Sequence, residues 1–439
     1  MSDDFRSAPV DPVSSERLAA QGLRMGLVDT ASREFESWLQ AEARGFHADR
    51  FSAEAIAEQL DGYADRRTTG VWDETAVDPS EPVSTVSSWP TELTVPGFAS
   101  VGAWAISSVT VSPTHRRRGL ARAMLEAELR TARSLGLPVA ILTVSEATIY
   151  ARYGFAPAAS ATDWAIDVRR AEWIGPEAAG RVQFVRREQL LADGPAIIER
   201  VRLATPGQIG FSGLSWERLL GMPSSAEQTK QLRFVRYDDD EGHPQGFAIY
   251  RVTEPTPDFS EHVVEVQYLV SATDDAYAGL WRFLLEMDLV SSVTAALRPV
   301  DEALGWQLSN VRAMRAVSTR DHLWTRILDV PAALSARSYG TTGRIVLEVG
   351  DQLGFADGRF LLDIATDGSA AVVPFEGAIP EDAAAISLGV NELSALYLGG
   401  VSALSLARAG RLIEVRDGSA VAVDAAFRSI VAPWLSIWF

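Results

Sequence analysis

Val109 to Ala121, reading VTVSPTHRRRGLA, sets three consecutive arginines, Arg116 to Arg118, between a β-type run and the start of an amphipathic helix. Unpaired backbone N–H groups at a helix start, with the positive end of the helix dipole, favour an anion there. Gly119 and Ala121 are small enough to let a pyrophosphate approach the backbone, and Leu120 between them opens the helix. Arg116 and Arg117 add charge. A solvated basic turn that only caps the helix is the alternative this segment leaves open on its own. After the next strand comes SEATIYARYGFAPA, Ser145 to Ala158, which carries the phenol of Tyr150. A buried tyrosine whose hydroxyl only caps a core hydrogen bond is one reading of that residue.

The first segment resembles motif A of the GNAT superfamily of acetyltransferases, Arg/Gln-x-x-Gly-x-Gly/Ala after a strand, through Arg116, Gly119 and Ala121. The second resembles the superfamily's later motif, Tyr-x-x-x-Gly-Phe on a helix, through Tyr150, Gly154 and Phe155. The resemblance implies acetyl-coenzyme A as cosubstrate, in a site between Ser107 and Arg152. The backbone of Val109 and Val111 would hold the pantetheine arm, and a backbone N–H there would polarise the thioester carbonyl. Arg116, Arg117, Gly119, Leu120 and Ala121 would surround the pyrophosphate, with Ser145 and Arg152 completing the cofactor site. Tyr150 would be the general acid at the sulfur, in a direct attack by an amine.

The surrounding elements suit that reading. Ser100 to Val111 reads as a strand, with Val109 and Val111 on one face and Thr110 on the other. Pro113 ends it, Leu120 to Leu135 has helical spacing closed by Gly136 and Pro138, and Val139 to Val144 is a short buried strand. Strand, helix, strand is a βαβ unit on a parallel sheet. Upstream, Leu27 to Leu60 turns helical, with Phe35, Trp38 and Leu39 on one face and a further helix from Ala53. Val266 to Val270 and SATDDAYAGLWRFLLEMDL repeat the strand-to-helix change without the basic triplet. Asp274 and Asp275 stand there instead, so one cofactor per chain is expected.

The fold class expected is α/β and α+β multidomain. It comprises a flexible tail over 1–23, a catalytic domain over 24–175, a degenerate copy over 176–325, and an α+β domain over 326–439. The last has helices at Val330 to Ser338, Val390 to Leu398, Ser402 to Ala409 and near Val423 to Val431. Its strands are Ile345 to Val349, Phe360 to Ile364, Ala371 to Phe375 and Ala385 to Leu388. Asp357-Gly358 and Asp367-Gly368 mark hairpins between them.

A chain of 439 residues is too long for one core. Its 58 acidic against 40 basic residues, formally -18, disfavour nucleic acid and favour a polycationic substrate, or simply keep the protein soluble. There are no cysteines, which removes thiolate metal sites and a cysteine nucleophile. His47, His115, His243, His262 and His322 have no ligand spacing, so no metal is expected. No run reaches the roughly 18 apolar residues of a spanning helix, and a cytoplasmic location is expected.

Taken together, ISSVTVSPTHRRRGLARAML, SEATIYARYGFAPA, the degenerate repeat and the later LYLGG resemble the Eis (enhanced intracellular survival) family. That resemblance implies aminoglycoside N-acetylation at several positions, two GNAT-type domains, a sterol-carrier-protein-like domain and a hexamer. It also implies that the carboxylate of Phe439 is the general base, as opposed to a docked tail with no catalytic part. Two positions depart from the family. Ser108 stands where an aromatic residue can line the pocket, and Trp438 replaces an acidic penultimate residue. Asp49 is the acid assigned to the substrate pocket, beside Ser108 and Trp438. A lysine-peptide acetyltransferase, or a lipid-binding protein without catalysis, are the other readings.

Overall fold

The computed structural model describes residues 5–222, 227–254 and 257–439. Met1 to Asp4, part of the expected tail, lie outside the described residues. The rest of that tail is built into the fold, which corrects the reading of 1–23 as flexible. Asp11 caps α1 (Pro12–Ala19) through Ser14 N–H, with Pro12 in the first turn where its missing N–H costs nothing. Arg130 grips the same carboxylate through two hydrogen bonds of 2.8 Å, and Leu18 is fully buried.

After β1 (Leu23–Val28), α2 (Arg33–Gly45) buries Phe35, Trp38 and Leu39 on one stripe. Next come α3 (Ala53–Tyr63), β2 (Arg67–Asp73), β3 (Ser84–Val95), β4 (Ala99–Val111), α4 (Leu120–Ser134), β5 (Val139–Thr143) and α5 (Ala147–Tyr150). β1 to β4 pair antiparallel in chain order, and β4 to β5 is the expected parallel crossover through α4. The strands β2 and β3 were not anticipated.

The chain is organised as two compact units, the first being 1–158 with 323–429 and Phe439, the second 159–322 with 430–438. The second unit runs from β6 (Ala156–Asp167), which begins in the first, through β7 (Arg181–Phe184), α6 (Arg187–Ala204) and α7 (Gly213–Leu219). β8 (Arg233–Asp238), β9 (Pro244–Thr253), β10 (His262–Ser271), α8 (Asp274–Leu285) and β11 (Val290–Arg298) follow. Its strand order is β6-β11-β10-β9-β8-β7, and β10 pairs antiparallel with β9 and parallel with β11. That repeats the β3, β4, β5 arrangement across α8, as the echo in the sequence anticipated. Within this unit Trp434 donates to the Leu297 carbonyl at 2.5 Å, Ser436 to Gln208 at 2.9 Å, and buried His322 bonds the Ile437 carbonyl at 2.8 Å.

The chain re-enters the first unit within β12 (Met314–Ile327), whose Leu323 to Ile327 pair antiparallel with β5. Then come α9 (Val330–Ser335), β13 (Gly343–Gly350), β14 (Gly358–Ile364), β15 (Ala370–Pro374) and β16 (Ala384–Gly389). The last elements are α10 (Val390–Leu396), α11 (Ala403–Arg408), β17 (Leu412–Glu414) and α12 (Ser419–Phe427). They form a five-stranded sheet ordered β15-β14-β13-β16-β17. Asp367-Gly368 makes the expected tight hairpin, with Gly368 at φ 82°. Asp357-Gly358 does not: seven residues separate β13 from β14, and Asp351 organises them. It accepts from three backbone N–H groups and pairs bidentately with Arg326, both side chains being buried.

Burial raises the phenols of Tyr339, Tyr397 and Tyr63, and raises Tyr268 to about 12. Unfolded tyrosines release protons from about pH 10, while these are retained in the fold, so the native state then binds more protons and loses stability as pH rises. Denaturation midpoints should therefore be insensitive to these phenols below about pH 10 and fall between about pH 10 and 11. A midpoint that holds through this interval would contradict their burial.

Candidate active site

The ladder between β4 and β5 runs from Ala103↔Val139 to Ile106↔Leu142, yet β4 continues to Val111 while β5 stops at Thr143. Beyond Ile106, then, β4 presents to this side a strand edge that β5 does not cover. On its other side β4 stays paired with β3, Ser107 facing Ser87, and a bulge follows before Thr110↔Thr85. Ser108 sits in the bulge at φ 55°, a left-handed conformation that is costly for a residue with a side chain. The bulge re-aims the backbone of Val109 and Val111, which are only partly buried.

Downstream, a short turn delivers the chain to Gly119, which takes φ 80° as the N-cap residue of α4. Arg117 also has positive φ, at 64°. The four basic side chains of this turn divide cleanly. His115 bonds Asp73 at 3.0 Å and Arg118 lies 3.6 Å from the same carboxylate. Arg116 and Arg117 are exposed and make no hydrogen bond or ion pair among the described residues. Leu120 is buried in the core under the helix, and Ala121 is half-buried. Among the described residues the start of α4 thus offers free donors and two uncommitted guanidinium groups, with no acidic residue in its first turn. At the corresponding start of α8, Thr273 caps the Ala276 N–H and Asp274 and Asp275 occupy the first turn. An anion meets repulsion there.

Tyr150 ends α5 with its ring buried edge-on to Phe155, 6.3 Å between centroids. Its hydroxyl has no hydrogen-bond partner among the described residues, unlike a tyrosine serving only to cap a core polar group. Burial first, then the charge of Glu146, pushes the phenol up to about 12. Ser145 and Arg152 flank it and are exposed. The turn that follows is fastened from the C-terminal part of the unit. Asn391 donates to the carbonyls of Ala151 and Phe155, both at 2.8 Å, and Arg326 to that of Tyr153 at 2.7 Å. Gly154 has φ 87°, and a Cβ there would lie 2.4 Å from the Arg326 side chain.

A polar network absent from the sequence reading surrounds Ser108. Its hydroxyl donates to Glu42 Oε1 at 2.6 Å, and Tyr63 donates to the same oxygen at 2.7 Å. Ser87 donates to Ser108 at 3.1 Å, and Arg66 reaches Ser87 at 3.4 Å. The Arg66 guanidinium lies over Trp89, 4.1 Å from the ring centroid, and Trp89 meets the Phe439 ring edge-on at 5.6 Å. Thr143, the last residue of β5, donates to the Phe439 carbonyl oxygen at 2.9 Å. Phe439 therefore stands at the point where the ladder between β4 and β5 ends.

Of the other assigned residues, Asp49 is exposed in the loop between α2 and α3 and joins none of these groups. The acid in contact with Ser108 is Glu42, which Asp49 had been expected to provide. Glu42 follows Phe35, Trp38 and Leu39 on their own buried stripe, and a charge there was the signal available in the sequence. Trp438 belongs to the second unit, half exposed, with its ring against His322 at 4.5 Å. Among the described residues no three His, Asp or Glu side chains gather as a metal site would need.

Family models described as acetyltransferase (GNAT) domain match residues 29–158 and 212–327, and one described as sterol carrier protein domain matches 330–436. An uncharacterized N-acetyltransferase of Streptomyces avermitilis is 35% identical over 92% of this chain and 96% of its own. N-acetyltransferase Eis of Mycobacterium tuberculosis is 36% identical over 77% of this chain and 81% of its own. Among solved structures, Eis1 from Mycobacterium abscessus superposes with a TM-score of 0.79 at 28% identity, over 94% of this chain and 100% of that one. A GCN5-related N-acetyltransferase from Anabaena variabilis shares the fold, with a TM-score of 0.79 at 20% identity over 95% and 100% of the two chains.

Proposed function

The chain belongs to the Eis-like N-acetyltransferases of the GNAT superfamily, and from that premise we propose that it transfers the acetyl group of acetyl-coenzyme A directly to amines of aminoglycosides or similar polycationic small molecules, at more than one position. The observation that carries the cofactor assignment is the division of the basic turn. Asp73 takes His115 and Arg118, leaving Arg116 and Arg117 uncommitted at the start of α4. With Gly119, Leu120 and Ala121 they hold the pyrophosphate. The open edge of β4 at Val109 and Val111 takes the pantetheine, and Ser145 and Arg152 close the cofactor site.

In the reaction a backbone N–H of the bulge polarises the thioester carbonyl, and the neutral amine attacks its carbon. The new C–N bond forms as the C–S bond breaks. Tyr150 gives its proton to the departing thiolate, and the carboxylate of Phe439 takes the proton the amine loses. The net charge of -18 draws a polycation to the site. An assembly of six chains in the cytoplasm belongs to the same reading.

The experiment is coenzyme A release with a multi-amine aminoglycoside as acceptor, followed by the mass of the product, beside a lysine peptide as competitor. One or more added acetyl groups on the aminoglycoside supports the proposal; turnover on the peptide alone replaces it. In the same assay Arg116→Ala should raise the KM for acetyl-coenzyme A about 10- to 100-fold, the loss of one charge-assisted phosphate contact, with kcat little changed. An unchanged KM would remove Arg116 from the cofactor site.

A further inference from the structure

We infer that Glu42 is the carboxylate that seats the acceptor's ammonium beside the bulge of β4, and so selects cationic amines; this rests on the acetyl-transfer site being at that bulge. The inference starts from an imbalance in the hydrogen bonds. Oε1 of Glu42 accepts two short O–H bonds, from Tyr63 at 2.7 Å and Ser108 at 2.6 Å. Its second oxygen makes no hydrogen bond, and no cation pairs with it, among the described residues. A half-buried carboxylate normally acquires such a partner, because its desolvation is otherwise uncompensated.

The neighbouring groups cannot supply it. Arg66, the nearest cation in the network, is held over the rings of Trp89 and Tyr63 and reaches Glu42 only through Ser87 and Ser108. The donors in that chain all point one way, Arg66 to Ser87 to Ser108 to Glu42, so each hydroxyl's single proton is already used. Tyr63 is kept protonated, its phenol raised by burial and by the Glu42 charge itself. Glu42 is thus the one carboxylate of the network and Arg66 its one guanidinium, with Ser87 and Ser108 between them.

Packing keeps it there. The same helix crosses β4 at Gly45, where a Cβ would lie 2.4 Å from Cβ of Thr110, so α2 sits against the strand too closely to swing aside. Trp38 locks the preceding turn by donating to the Thr69 carbonyl at 2.9 Å. A rigid carboxylate with one satisfied and one open oxygen accepts N–H donors from a primary ammonium. Its hydroxyl partners then fix which direction the open oxygen faces.

Glu42→Gln tests this, because the amide oxygen still accepts from Tyr63 and Ser108 while the charge is gone. Affinity for a multi-amine aminoglycoside, titrated in the presence of coenzyme A, should weaken about 10- to 100-fold, with acetyl-coenzyme A affinity unchanged. Glu36→Gln removes the same formal charge from an exposed position of α2 and should leave both affinities as they are. Three results overturn the inference: amine affinity unchanged in Glu42→Gln, equal weakening in Glu36→Gln, or loss of both ligands together in Glu42→Gln, which makes Glu42 a prop of the fold. Failure of the wild type to bind acetyl-coenzyme A would instead overturn the underlying assignment of the transfer site.

Discussion

Tyr150→Phe lowers kcat by about 100- to 10,000-fold, the usual worth of a general acid, and leaves the KM for acetyl-coenzyme A within about threefold. The substitution removes one oxygen from a ring that is buried through its carbon atoms against Phe155, so the packing survives. It costs no hydrogen bond within the fold either, since the hydroxyl has no partner among the described residues. Stability and activity are thereby separated. The pH profile adds a check. With the phenol pushed up to about 12 by burial and then by Glu146, the acid stays loaded through alkaline pH. Activity owed to Tyr150 is lost only as pH rises through that value, above the limb a free tyrosine would give near about pH 10. Thermal midpoints matching the wild type with kcat undiminished would remove Tyr150 from the chemistry.

Deleting Phe439 should lower kcat/KM by about 100- to 1,000-fold, and Phe439→Ala by much less. The two variants divide the residue's functions. The deletion withdraws the terminal carboxylate by one residue, to Trp438 and away from Thr143, whereas alanine keeps it in place and loses only the ring against Trp89. If the carboxylate is the base, the acid limb of the pH profile disappears in the deletion and persists in Phe439→Ala. A deletion that raises KM and spares kcat would leave Phe439 as a plug for the acceptor site, without a part in proton transfer.

How much of this was legible in the sequence follows from how far apart in the chain the cooperating residues lie. The turn before α4 and the segment around Tyr150 are continuous, so residue type and spacing expose them directly. The crossover of β4, α4 and β5 was read for the same reason. Glu42, Tyr63, Arg66, Ser87 and Ser108 come from separate elements, and only folding brings them together. Asp49 was assigned to the pocket from its place after Phe46 in the first helical region, and in the fold it is exposed in the loop between α2 and α3, while the acid in contact with Ser108 is Glu42 on the apolar stripe of α2. The start of α1 was readable from Asp11 and Pro12, but scattered prolines and polar residues masked it. Asp357-Gly358 and Asp367-Gly368 look alike as dipeptides, and the difference lay in Asp351, a residue outside the dipeptide that gathers the longer loop.

The turn after Tyr150 bears on what counts as a part of this enzyme. By ancestry the first acetyltransferase module ends near the close of its family match at residue 158. Mechanically it does not. Asn391 and Arg326 hold the carbonyls of Ala151, Tyr153 and Phe155, and Leu323 to Ile327 supply the outer neighbour of β5. A gene trimmed to the ancestral module would encode every motif residue and still lack the scaffolding that aims the tyrosine. Through Asn391 the sterol-carrier-type segment shares in that scaffolding, as the second acetyltransferase-type segment does through Arg326, and inheritance as a module does not confer autonomy as a machine.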